Sequence, residues 1–229
     1  MIEMTHYRQI EQKIRDKALA CGRQPSEMTL VAVSKNFPLE AIQAVYQEGC
    51  REFGESRVQE AFQKIPLLPD DCKWHLIGTL QSNKVAKAIS AFHLIHSVDH
   101  LGLAQKISQA SQLKGIITPI LLQVNTSGEV TKHGLSAEGW LSALESVNQL
   151  PYIRVEGLMT IAPYTHDQTH IRSCFRQLYT LRETWRNQMK NPTSFHHLSM
   201  GMSNDYLIAI EEGATLLRIG TALFGKRMN

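Results

Sequence analysis

The chain has 229 residues, with 24 Lys and Arg against 21 Asp and Glu, a formal charge of +3. That balance is too mild to imply a nucleic-acid surface, and the basic residues form no dense block. Hydrophobic residues make up 43% and charged residues 20%, the composition of a globular protein, and no apolar run approaches a membrane span. Cys21, Cys50, Cys72 and Cys174 are scattered with no C-x-x-C pair. This argues for reduced thiols in a cytoplasmic protein, and against a zinc site or a disulfide framework. Met1 to Lys17 is charged throughout and has no apolar signal core.

Residues 2–20 read as an amphipathic helix through Ile2, Tyr7, Ile10, Ile14 and Ala18, ended by Cys21-Gly22. Leu30-Val31-Ala32-Val33 is an unbroken apolar run, the mark of a strand buried on both faces. Lys35 falls just past its carboxyl end. Pro38 precedes a helix over 39–48, which Gly49 closes. A strand over 52–55 and a helix over 57–65 follow. Trp74 to Gly78 reads as a strand, and Gln81 leads into a helix through Ala91. His93 to Val98 is a strand, with Asp99 as N-cap of a helix over 100–113. Ile116 to Val124 is a strand, and a polar loop runs from Asn125 to Gly134. Ser136 opens a helix that ends near Leu150-Pro151. A strand over 153–158, a loop containing Pro163 and a long helix over 166–189 come next. Phe195 to Leu198 is a strand, 204–212 a helix starting at Ser203 or Asn204, and Thr215 to Ile219 a strand.

Eight strands alternate with helices, and the N-terminal helix is extra. Strict alternation argues for a parallel sheet. Eight units predict closure into a (β/α)8 TIM-type barrel, typically ~250 residues, as a single domain over 1–229. The alternative is an open doubly wound sheet, whose G-x-G-x-x-G fingerprint is absent.

In a barrel, function collects at the carboxyl ends of the strands. A partly desolvated lysine there, as Lys35 is expected to be, has a depressed pKa and can attack an aldehyde. At the other end of the chain, Leu198-Ser199-Met200-Gly201-Met202-Ser203-Asn204-Asp205 joins a strand to a helix start, and Arg218 precedes Gly220-Thr221. Loops after strands seven and eight are the usual place for a barrel phosphate site. A lysine on strand one facing a phosphate cradle on strands seven and eight suggests a phosphorylated aldehyde, and pyridoxal 5'-phosphate (PLP) fits. Arg218, always charged, would meet the pyridine nitrogen without giving it a proton. His196 and His197 are expected within one strand and on opposite faces, so they would not share a metal. His93, His96 and His100 are not expected to bind one either. Trp140 and Trp185 read as packing.

Seven stretches resemble the pyridoxal phosphate homeostasis proteins, a family of PLP-binding proteins similar to the barrel domain of alanine racemase. They are LVAVSK (30–35), FGE (53–55) with VQE (58–60), WHLIGTLQSNK (74–84), IHSVD (95–99), GLMTIAP (157–163), LSMGMSND (198–205) and LRIGTALFG (217–225). The resemblance implies that Lys35 carries PLP as a Schiff base. Ser199, Gly201, Gly220 and Thr221 would hold the phosphate, and Arg218 would approach the ring nitrogen. Ser56, Met159, Met200 and Asn125 would also border the cofactor. Ser56 stands where the family has Asn, a shorter donor in place of an amide. The loop 125–134 is expected to be a flap that brings Lys132 near the site.

The resemblance implies a role in vitamin B6 homeostasis and PLP supply rather than catalysis, with transient contact to PLP-dependent apoenzymes. It also implies a monomer or weak homodimer, without nucleic acid, membrane or metal. The chain ends about ten residues after the last strand, which is expected to leave no room for the second domain of a racemase. The alternative is a PLP-dependent amino-acid racemase of low activity using Lys35 and Tyr164. A third reading is a phosphate-binding regulatory module without PLP.

Overall fold

The computed structural model describes residues 5–129 and 133–225. Its strands are β1 Thr29–Val33, β2 Glu52–Glu55, β3 Lys73–Leu76, β4 Leu94–Val98, β5 Thr118–Gln123, β6 Ile153–Met159, β7 His197–Ser199 and β8 Leu216–Ile219. All neighbours are parallel and in chain order. β8 returns to β1, with Val31 beside Arg218, and closes the barrel. The (β/α)8 expectation is borne out.

The helices are α1 His6–Ala20, α2 Leu39–Gln47, α3 Val58–Lys64, α4 Val85–Ala91, α5 Leu101–Lys114, α6 Ala137–Gln149, α7 Gln168–Arg186, α8 Tyr206–Glu211 and α9 Thr221–Phe224. α1 is the extra element. Thr5 caps it by accepting from the Arg8 N–H, and it buries Tyr7, Ile10, Ile14 and Ala18 at helical spacing. Most of the apolar core lies between the strands and this helical ring, including Phe53, Trp140, Phe175 and Trp185. Trp140 and Trp185 are packing residues, and the Trp140 indole donates to the Gln123 carbonyl at 2.8 Å. Inside the barrel the apolar filling is a smaller group: Val31, Leu94, Leu121, Met159 and Leu216.

Several boundaries differ from expectation. α5 is capped by the backbone of His100, because the Asp99 carboxylate hydrogen-bonds the His100 ring instead. α8 starts at Tyr206, since Asp205 bends back to accept from the Met202 N–H at 2.5 Å. β7 starts at His197, not Phe195. His196 sits before the strand, so the period of two does not separate the two histidines. Their ring centroids lie 4.0 Å apart. A ninth helix, α9, follows β8 at once; a run of four residues carries no periodicity to detect. Among the described residues no helix is long and apolar enough to cross a membrane. Among the described residues no group of three or more His, Cys, Asp or Glu is placed to hold a metal. All four cysteines are free thiols.

Candidate functional site

Lys35 leaves the end of β1 and lines two adjoining cavities at the carboxyl end of the barrel, of about 920 and 810 Å³. The backbone on both sides of it is held by charge. The Lys64 ammonium donates to the Ser34 carbonyl at 2.8 Å, to Glu55 Oε1 at 2.8 Å and to Glu60 Oε1 at 2.6 Å. Ser34 Oγ donates to Glu55 Oε1 at 2.6 Å, and the Asn36 N–H donates to Glu60 Oε1 at 2.6 Å. Asn36 has φ +62°, a left-handed conformation that Asn tolerates better than most residues. A residue between two such anchors has its side chain aimed before any ligand arrives. Glu55 is fully buried, and burial raises its carboxyl pKa despite the bonds from Lys64 and Ser34. Its Oε2 has no hydrogen-bond partner among the described residues.

Gly78 has a packing reason beside this segment. A Cβ there would lie 2.3 Å from the Ser56 carbonyl oxygen, so only glycine lets the ends of β2 and β3 converge. Ser56 then faces both cavities.

The β7–β8 side supplies the other groups. Arg218, 4% exposed, lines the smaller cavity with Lys35. Its guanidinium donates to Ser199 Oγ at 2.5 Å and to the Thr160 carbonyl at 2.8 Å. Among the described residues it makes no salt bridge, so it is not an arginine neutralised by an adjacent carboxylate. Burial lowers its pKa to about 10, and the Asp205 carboxylate opposes that shift. Beside it, Gly220 and Thr221 open α9 and line the same cavity. Ser203 Oγ accepts from the N–H groups of Gly220 and Ala222 at 3.3 and 3.2 Å. These are long bonds to a neutral acceptor, in a place where an anion would accept more strongly.

The structure sorts the expected site residues. Lys35, Ser56, Arg218, Gly220, Thr221 and Tyr164 line the smaller cavity. Ser199 does not: it is fully buried and bonded to Arg218 and to the His96 ring. Gly201, at φ +92°, forms the turn after β7. A Cβ there would lie 2.6 Å from Ala209 Cβ, and its carbonyl accepts from the Arg218 N–H. Met159 lies in the apolar filling of the barrel and Met200 in the outer core. Asn125 shapes its own loop, its side chain accepting from Ser127 and donating to the Glu129 carbonyl. The base of that loop is pinned by the Asn125 N–H to the Leu135 carbonyl, and His133 borders the larger cavity. Lys132 lies outside the described residues. Sequence reasoning passed over Ser203, Glu60 and Lys64. Ser203 sat inside a motif already singled out, and Glu60–Lys64 had an i,i+4 spacing that signals an ion pair.

These residues define the class: a closed parallel (β/α)8 barrel whose carboxyl-end cavity is lined by an amine after β1 and by a guanidinium and a glycine turn after β8. The family described as "Alanine racemase, N-terminal domain" matches residues 8–228, and the chain belongs to that family. Curated relatives include proteins named pyridoxal phosphate homeostasis protein. The one from Aquifex aeolicus is 41% identical over 217 residues, 94% of this chain and 94% of the relative. The one from Bos taurus is 38% identical over 226 residues, 91% of this chain and 82% of the relative. Among solved structures, PipY of Synechococcus elongatus PCC7942 with PLP bound superposes with a TM-score of 0.82 at 38% identity. That match covers 93% of this chain and all of PipY. Alanine racemase of Clostridium difficile 630 shares the fold, with a TM-score of 0.73 at 14% identity, and this chain covers 56% of it.

Proposed function

We propose that this chain binds PLP at Lys35 and serves in its intracellular storage and supply. The observation that carries the reading is one cavity lined by Lys35, Arg218 and the Gly220-Thr221 turn together. The donor set fits the ligand. PLP supplies an aldehyde, which condenses with a primary amine with loss of water. Lys35 provides the amine on a clamped backbone. The N–H groups of Gly220 and Ala222, with the hydroxyls of Ser203 and Thr221, suit a phosphate. Arg218 suits a neutral ring nitrogen, because it donates and remains charged. Ser199 and Gly201 serve the same site from behind, the first by holding Arg218 and the second by turning the chain. The relatives' names and the PLP bound to PipY support the assignment. The supply reading places the protein in the cytoplasm, with PLP-dependent apoenzymes as transient partners.

Storage is favoured over racemisation by the position of Tyr164. A general base must be held within hydrogen-bond reach of the proton it moves, whereas Tyr164 is 92% exposed. The test is visible absorbance of protein incubated with PLP, before and after borohydride, beside Lys35→Ala. The expected result is a band that borohydride reduces in place and that Lys35→Ala lacks. A protein left colourless by added PLP would overturn the reading. Exchange of the alanine α-hydrogen with solvent deuterium at turnover rates would overturn the preference for storage.

A further inference from the structure

The interior of this barrel is not wholly apolar. A file of polar groups crosses it from the amino-terminal rim to the cavity. Glu52, the first residue of β2, meets the His75 ring: Oε2 lies 2.7 Å from Nε2. His75 Nδ1 lies 2.8 Å from His96 Nε2, and His96 Nδ1 lies 2.8 Å from Ser199 Oγ. Ser199 Oγ receives the Arg218 guanidinium at 2.5 Å. His75, His96, Ser199 and Arg218 are all buried. Four bonds on five residues, drawn from β2, β3, β4, β7 and β8, thus join a carboxylate at one end to a guanidinium at the other.

The direction of every bond follows from satisfaction. Arg218 can only donate, so Ser199 Oγ accepts from it. Ser199 is fully buried, and among the described residues its hydroxyl has two partners, Arg218 and His96. Its own O–H must therefore go to His96 Nδ1, because a buried donor left unmade is costly. His96 is then the neutral Nε2–H form and donates to His75 Nδ1. His75 in turn donates from Nε2 to Glu52. The electrostatics agree. Burial, followed by the nearby His75, Arg218 and His197, pushes the His96 pKa well below its ordinary value. Burial alone would raise the Glu52 carboxyl, but the hydrogen bonds from His75 and Lys73 and the Lys73 ammonium beside it hold it low.

We infer that Glu52 is the counter-charge of Arg218, acting from the opposite rim of the barrel through the neutral file His75–His96–Ser199. These four are positioning residues. They hold the guanidinium in one orientation and polarise it, so that it presents a fixed donor to the ligand in the cavity. A carboxylate placed directly on Arg218 would occupy that donor and cancel its charge locally. Placed behind three neutral groups, it stabilises the buried cation and leaves the cavity face cationic. Hydrogen-bonded chains in a low dielectric polarise one another in this way. The effect on a ligand rests on the reading that PLP sits against Arg218; the file itself does not.

Two measurements test it. In 15N-labelled protein without PLP, the ring-nitrogen shifts should show His75 and His96 both as the neutral Nε2–H form near pH 7. An Nδ1–H form or a charged ring at either residue overturns the file. With PLP bound, Glu52→Gln keeps an acceptor for His75 but removes the charge, which also faces the half-exposed Lys73 at the rim. It should shift the visible band of the bound cofactor and speed its release about tenfold, as for the loss of ~1.4 kcal/mol of charge-assisted binding. His96→Leu should do the same. His96→Gln, which can accept from Ser199 and donate to His75, should stay close to wild type. A band and release rate that Glu52→Gln leaves unmoved, while borohydride still fixes PLP on Lys35, overturn the coupling and spare the binding reading. A band that persists in Lys35→Ala sinks the binding reading, and with it the ligand end of the file, while the histidine forms still judge the file itself.

Discussion

The two sides of the cavity mouth are built on opposite electrostatics. On the β1–β2 side, Lys64 is shared between two carboxylates, and those charges clamp the backbone around Lys35. On the β7–β8 side, every described hydrogen bond of the Arg218 guanidinium ends on a neutral oxygen. The difference suits the two tasks proposed for Lys35 and Arg218. An amine that forms and breaks a covalent bond needs a fixed position, and direct ion pairs supply it through the backbone. A guanidinium that recognises a ligand needs its charge, and neutral acceptors position it without cancelling that charge.

The largest expected effect breaks the ionic side. Lys64→Met leaves Glu55 buried beside no cation and should cost about 3–5 kcal/mol of stability, read as a lowered urea midpoint. Adding Glu55→Gln should recover at least half of it. If the single variant is as stable as wild type, the clamp carries no weight.

Acid pH should sharpen the contrast. On the neutral side, burial, with help from His196 and His75, lowers the His197 pKa to about 4, and His96 is also lowered. Below an unfolded pKa of about 6.5 the unfolded chain binds protons that the folded one refuses. Stability from these groups is therefore complete above about pH 6.5 and lost as the pH falls toward about 4. On the ionic side Glu55 acts in reverse. Its raised carboxyl costs stability near neutrality, and that cost is relieved as acid protonates it in the fold. Urea midpoints from neutral to mildly acidic pH should thus fall less steeply in His197→Gln than in wild type, and more steeply in Glu55→Gln.

A smaller effect belongs to the cradle. Ser203→Ala removes the acceptor that orders the Gly220 and Ala222 N–H groups and should weaken PLP binding about fivefold, ~1 kcal/mol, with stability little changed. Equilibrium titration of apo-protein with PLP reads this directly, and unchanged affinity would remove Ser203 from the site. The smallest effect is expected at Tyr164. Tyr164→Phe should alter PLP affinity by less than about twofold, the scale of an exposed contact. A larger loss would bring Tyr164 back as a working residue.

Much of the barrel was legible because its evidence is local. LVAV reads as a buried strand from four consecutive residues, and the position of Lys35 follows by counting. The spacing of Tyr7, Ile10, Ile14 and Ala18 marks α1 in the same way. The boundaries that shifted are those where a side chain chose an unexpected partner. Asp99 turned to His100, and Asp205 turned to the Met202 N–H. Ser199 stood in a motif whose loop suited an anion, yet its hydroxyl went to His96 and Arg218, residues 103 and 19 positions away. Ser203, four residues on in the same motif, took the place at the cavity.

By itself, then, the sequence determined the alternation of strands and helices, the count of eight that closes the sheet, and the presence of a lysine and an arginine at strand ends. These depend on hydrophobic period and on residue type, which are properties of neighbouring residues. Only the tertiary structure decided which polar groups answer one another. Closing the barrel brings β2, β3, β4, β7 and β8 around one axis. Burial then forces each of His75, His96, Ser199 and Arg218 to find its partner on another strand, and half-buried Glu52 ends the file. No period along the chain encodes that pairing, because it arises from satisfying donors and acceptors across a closed interior.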